Sequence, residues 1–235
     1  MPQPALKCDD ESTVTPVNDR LAAQLRGFGL LGIAAILAVL AGNFVLAPLS
    51  AVLALLWVYL SRTPWCDIGY VRPNSWITTV TVGIVFGVTL KLVMKAIVMP
   101  LLGAPPINQA FHYLAGNRAA IPGALWLMIV VAGFGEETLF RGYMFERLGK
   151  LFGSSIAAKT AIVLITSVIF GLLHYPFQRL PGAEQATITG LIFGTIFAIT
   201  GRIWMLIFAH AAFDLTAYAL IYWNLETSVA HWIFK

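Results

Sequence analysis

Charge is scarce in this chain. Asp, Glu, Lys and Arg make up 11% of its 235 residues while 59% are hydrophobic, against about 25% charged in average soluble domains. A water-facing surface needs roughly a quarter of its residues charged to stay dispersed, so an ordinary soluble globule is excluded and lipid is the expected solvent. Cysteine is nearly absent. Cys8 and Cys66 stand far apart with no CxxC spacing, which excludes a disulfide framework or a zinc knuckle and reads as two free thiols. Basic runs are missing too: the 15 Lys and Arg are scattered singly, so the net charge of +4 marks membrane topology and not a nucleic-acid partner. No repeat of solenoid length and no low-complexity segment occurs. Residues 1–26 carry Asp9, Asp10, Glu11 and Asp19 and no apolar core; they read as a cytoplasmic N-terminal tail, not as a cleaved secretory signal.

Long apolar runs fill the rest. Each span needs about 20 residues to cross about 30 Å of hydrocarbon, and residues 27–235 divide into about seven, six to eight. The expected fold is therefore all-α, a polytopic transmembrane helical bundle forming one membrane domain. Residues 27–61, broken near Gly42, Asn43 and Pro48, form one kinked span or two. Later spans run at about 76–102, 122–146, 156–176, 186–200 and 203–223. A cytoplasmic N-terminus puts Lys7, Arg20, Arg26, Arg62, Arg72, Arg147, Lys150, Lys159 and Arg202 inside and leaves Arg118, Arg179 and Lys235 outside, as the positive-inside rule prefers. Gly190 and Gly194, one turn apart, allow close helix packing. Lys91 and Lys95 share a face of the third span and read as snorkelling outward, with substrate or lipid-phosphate contact as the alternative.

Chemistry concentrates in a few intramembrane polar residues, which are costly there and so need a partner or a task. Glu136 and Glu137 stand side by side in the fourth of these runs. Arg141, four residues after Glu137, can neutralise it in the favourable acid-before-base order, whereas Glu136 points about 100° away and gets no partner from its own helix. His174 ends the run Phe170-Gly171-Leu172-Leu173-His174, and His210 and Asp214 are one turn apart on a later span. Depth is consistent among them. At 1.5 Å per residue Glu136 lies about 16–21 Å from Arg147 and Lys150, His174 about 22 Å from Lys159, and His210 and Asp214 about 12 and 18 Å from Arg202. Three helices can thus bring two carboxylates, two imidazoles and a guanidinium to one buried cavity. The set suits hydrolysis, in which a carboxylate or imidazole takes a proton from water and neighbouring donors hold an amide oxyanion. Ser167 lacks a nucleophile's setting. A metal, were one bound, would draw on His174, His210 and either Asp214 or Glu137, a zinc-like donor set.

Glu136-Glu137-x-x-x-Arg141, Phe170-x-x-x-His174 and His210-x-x-x-Asp214, in this order on successive spans, resemble the three motifs of the CPBP family of CAAX proteases and bacteriocin-processing or immunity proteins. The resemblance covers about residues 120–220, the expected catalytic core. It implies a glutamic-type intramembrane endopeptidase, opening to the cytoplasm, in which Glu136 and His174 activate water and His210 with Asp214 stabilises the oxyanion; Glu137 and Arg141 support. The family's last position is commonly Asn, so Asp214 must be protonated, orient His210 or bind a metal. No cofactor is expected, with zinc as the alternative. Partners are the lipid bilayer and a membrane-associated protein or peptide, such as a signal or bacteriocin peptide or a C-terminal sorting tail. A prokaryotic inner membrane is the expected location. The rival functions are a catalytically silent immunity or scaffold protein of the same fold and a proton-coupled transporter.

Overall fold

The computed structural model describes residues 20–45 and 48–234, and among these every regular element is helical. Besides short 3-10 turns at Trp65–Ile68 and His112–Leu114 they are, in chain order, α1 (Arg20–Arg26), α2 (Leu30–Val45), α3 (Leu49–Ser61), α4 (Trp76–Leu101), α5 (Arg118–Phe152), α6 (Ile156–Thr200), α7 (Trp204–Tyr222) and α8 (Glu226–Ala230). Four of them, α4 to α7, are long and apolar enough to cross a membrane, or five if the α1–α2 pair, bent by 61°, is one span. The expected count of about seven is therefore not reproduced. One reason lies in α6, whose 45 residues count once although Arg179, at φ 57° and ψ −161°, turns the chain back on itself. Gly190 meets Ser167, Gly194 meets Val163, and the Lys159 ammonium bonds the Ala198 carbonyl, so the two legs run antiparallel. The close approach expected at Gly190 and Gly194 is between these legs.

Residues 27–61 are two short helices and not one kinked span. The Ser50 hydroxyl donates to the Val39 carbonyl at 2.6 Å, pinning α3 against α2. Thirteen residues of α3 extend only about 20 Å. The segment expected as a tail also needs correcting at its end: Arg20–Arg26 is helical and docks on α3, where the Trp57 indole N–H donates to the Leu25 carbonyl at 3.0 Å. Residues 1–19 of that tail lie outside the described residues. Arginines satisfy the helix-end carbonyls that have no partner in their own helix. Arg26 bonds Ser61 O at the end of α3, and Arg147 bonds Arg26 O and Gly27 O at the end of α1. Cys66 is disulfide-bonded, which overturns the free-thiol expectation there; Cys8 lies outside the described residues.

α4 and α7 run parallel and meet through Gly83 and Gly87, one turn apart. A Cβ on Gly87 would fall inside the Ala209 carbonyl, and one on Gly83 would strike Met205 O and Phe208. α5 runs the opposite way and lays Gly133 against Ala211 of α7. One end of the bundle thus gathers the starts of α4 and α7 and both ends of α6, with Arg62, Arg72, Arg147, Lys150, Lys159 and Arg202. The other gathers the end of α4, the start of α5, the Arg179 turn and the end of α7, with Arg118 and Arg179. Overpacking a tight contact costs about 1–3 kcal/mol. Gly87→Leu should therefore separate α4 from α7 and lower the thermal midpoint in detergent by several degrees; an unchanged midpoint would mean that the two backbones are not in contact there.

Candidate active site

Two stretches of α5, Leu127–Glu136 and Thr138–Tyr143, are wound in the wider π form with i→i+5 bonds, a geometry that in other proteins gathers at functional sites. They carry Glu136, Glu137 and Arg141. Glu137 is fully buried, and its Oε1 accepts from Arg141 Nη1 at 3.0 Å, as the sequence spacing requires. The same oxygen faces His210 Nδ1 at 2.7 Å. A carboxylate accepts, so Nδ1 carries the proton and the ring presents Nε2 to the other side. There Nε2 lies 3.7 Å from both Glu136 Oε2 and Asp214 Oδ2.

His174 comes from the first leg of α6. Its Nδ1 lies 2.8 Å from the Phe170 carbonyl four residues earlier, so Nδ1–H donates and Nε2 is the nitrogen left for chemistry. Phe170 sits edge-on to both imidazoles, at 4.6 Å from His174 and 6.1 Å from His210. Arg141 lies over Phe170 at 5.0 Å and over Phe193 at 5.5 Å. Phe193 is a part of the site that the sequence reading did not single out; nothing polar in the second leg of α6 marks it. Behind Glu137, the Tyr70 hydroxyl bonds Thr138 Oγ1 at 2.7 Å while Thr138 donates to Phe134 O. Burial pushes the Tyr70 phenol up to about 12, so it remains a donor.

Glu136, His174, His210 and Asp214 all line one cavity of about 520 Å³. Glu136 Oε2 has no hydrogen-bond partner among the described residues. From this floor the cavity runs along the N-terminal half of α5 to Leu114, Ala120, Gln178 and Ile221, at the end of the bundle that carries Arg118 and Arg179. The cavity thus runs toward the end opposite the one that gathers Arg62, Arg147, Lys150 and Lys159, the residues expected in the cytoplasm. The snorkelling expectation fails. Lys91 and Lys95 are buried, Lys95 paired with Glu226 at 2.8 Å and Lys91 bonded to Gln185 at 3.0 Å.

The donor set named for a metal does not converge. Among the described residues no three His, Cys, Asp or Glu are placed to share one ion. Glu137, spent on Arg141 and His210, stands behind the imidazole and not in the cavity.

Residues 118–216 match the family model described as type II CAAX prenyl endopeptidase, Rce1-like. Over that segment the chain is similar to the CAAX endopeptidases of the CPBP family. All six residues of the expected site fall inside the match, which supports a protease with a membrane-associated substrate and agrees with helices long and apolar enough to span a bilayer. No curated protein and no solved structure matches the chain.

Removing one partner of a buried pair costs about 3–5 kcal/mol because a charge is left uncompensated. Glu137→Gln should accordingly reduce the folded yield and thermal midpoint more than Glu136→Gln, whose Oε2 makes no hydrogen bond and approaches His210 only to 3.7 Å. Equal melting of the two variants would remove the anchoring role from Glu137.

Proposed function

We propose that this chain is a glutamic-type intramembrane endopeptidase that hydrolyses a peptide bond of a membrane-associated protein or peptide. The observation that carries the reading is the cavity floor, where an unbonded Glu136 oxygen and a His174 with its Nδ1 already committed face the same space as the anchored His210. Water held between Glu136 and His174 loses a proton to the carboxylate as its oxygen attacks the peptide carbonyl carbon. His210, doubly protonated with Glu137 as counter-ion, donates Nε2–H to the oxyanion, and a protonated Asp214 donates beside it. The tetrahedral species collapses by breaking the C–N bond, and the proton taken from water passes to the leaving amine. No step is routed through a metal.

Maturation of a signal or bacteriocin peptide, or removal of a C-terminal sorting tail, at a prokaryotic inner membrane is the role this reading favours. The asymmetry of Lys and Arg supports an orientation with Arg62, Arg147, Lys150 and Lys159 in the cytoplasm. The cavity mouth then faces away from it.

Three measurements bear on this. Glu136→Gln keeps the side chain's shape but cannot take a proton, so turnover should vanish in a protein that still folds; near-normal cleavage would remove Glu136 from the mechanism. Asp214→Asn should stay active while Asp214→Ala loses about 10²–10³ in turnover, the usual cost of one oxyanion donor. An inactive Asn variant would overturn the protonated-donor role, and inactivation of the wild type by chelators, reversed by zinc, would replace the glutamic mechanism with a metallopeptidase one. For sidedness, Gln109→Cys beside the mouth and Ser154→Cys at the opposite end are both at exposed positions. An impermeant maleimide should reach Gln109→Cys in intact cells and Ser154→Cys only in inverted vesicles. The reverse pattern would turn the mouth to the cytoplasm.

A further inference from the structure

Lys91 lies about two-thirds of the way along α4 and is 6% exposed, so its ammonium is held inside protein and not at a headgroup. Lys95, one turn further on, shows what a satisfied buried lysine looks like here: it pairs with Glu226 at 2.8 Å and donates to the Pro106 carbonyl at 2.5 Å. Lys91 has no such arrangement. Its Nζ donates to the neutral Gln185 Oε1 at 3.0 Å and lies 4.7 Å from the centre of the Phe213 ring. It makes no ion pair among the described residues, and Asp214, a carboxylate within its electrostatic reach, stands beyond ion-pair distance.

An ammonium has three N–H donors and a primary amide two. One of Lys91's is used on Gln185, and the Gln185 Nε2 donors bond to nothing among the described residues. Buried charge is tolerated where it is paired, so this donor pair lacks an anion with oxygen acceptors. Lys91 and Gln185 both line the catalytic cavity, and both also line a neighbouring cavity of about 460 Å³ that lies toward Pro106, Asn108 and Gln178. A ligand reaching them from the Glu136 floor passes Phe213 and Ala217, an apolar wall. That wall suits an apolar peptide segment ending in, or carrying, one negative group.

We propose that Lys91 and Gln185 form a subsite for a carboxylate of the bound peptide, fixing how far from that carboxylate the chain is cut. The proposal rests on the peptidase reading for the identity of the ligand, but not for the anion site itself. A peptide carboxylate has two sources, the terminal α-carboxylate and an Asp or Glu side chain.

The test uses fluorescein-labelled apolar decapeptides made as free acids, as C-terminal amides, and as amides carrying one internal Glu. Binding is measured on full-length Glu136→Gln protein in detergent, and cleavage on the wild type by mass spectrometry. Hydrogen bonds to charged groups are worth enough that a carboxylate-bearing form should bind about tenfold or more tighter than the plain amide. The free acid winning identifies the terminus, and the internal-Glu amide winning identifies the side chain. Lys91→Met, made in the Glu136→Gln background, should bring the acid-to-amide ratio near one, and Lys91→Arg should restore part of it. Gln185→Glu supplies the missing counter-ion within the protein and should also abolish the preference without leaving a hole. Tight, Lys91-dependent binding of carboxylate peptides with no cleavage by the wild type would retire the peptidase reading and leave this subsite standing. Equal or absent binding of acid and amide forms, or a preference that survives both Lys91→Met and Gln185→Glu, would overturn the subsite.

Discussion

One oxygen atom ties the site together. Glu137 Oε1 accepts from Arg141 on its own helix and from His210 on α7, in a place with no solvent contact. A buried carboxylate is costly alone, and so is a buried guanidinium; each is tolerable because the other is present. Arg141 in turn is sandwiched by Phe170 and Phe193, which come from the two legs of α6. The set therefore fixes α5, α6 and α7 relative to one another. It also sets which nitrogen of His210 faces Glu136, since the Nδ1 proton is committed to Glu137. Hydrogen-bonded networks of this kind lose more than one bond's worth when a member is removed.

Close backbone packing makes that convergence geometrically available. In lipid, helices gain nothing from hiding apolar surface from one another, so small residues and short polar bonds decide which faces meet. Gly83 and Gly87 let α4 touch α7 on one side, and Gly133 lets α5 touch it on another. His210 sits next to Ala209, where α4 makes its closest approach, so the glycines that join the helices also set the depth of the imidazole. Between Leu127 and Tyr143 the π winding spreads the side chains over a wider turn. Glu136 and Glu137, adjacent in the chain, still point to different sides of the helix, one to the cavity and one to the Arg141 pair.

Much of this was legible before any coordinates. The Glu137–Arg141 pair follows from i,i+4 spacing, the His210–Asp214 face from the same rule, and the agreement in depth of three helices from 1.5 Å per residue. What escaped the sequence depends on contacts between distant segments. The bond from His210 to Glu137 joins residues 73 apart, and no local pattern announces it. Gly83 and Gly87 carry the same spacing as Gly190 and Gly194, so the signal was present though only the latter pair was singled out. The π winding has no clear compositional mark. Lys91 and Lys95 looked like interfacial lysines because distance along a helix says nothing about a loop that folds over its end. Here residues 104–110 and Glu226 cover them.

The arrangement also bears on the transport alternative. A relay that carries protons across a bilayer needs polar steps toward both surfaces. Above the floor, toward Gln178 and Asn108, polar groups are present. Toward the other end of the bundle, Phe193 packs into a cluster with Phe197, Ile203, Leu206, Ile207 and Ala209, backed by Phe145 and Phe134. These side chains offer a proton no acceptor, and Ile203 and Leu206 are fully buried among them. The titratable groups of the cavity thus share a space reached from one end, with this apolar cluster beneath them and the Thr138 and Tyr70 hydroxyls behind Glu137. A site approached from that end fits chemistry on a segment that enters and leaves by the same mouth, with the apolar cluster around Phe193 packed beneath His210 on the far side.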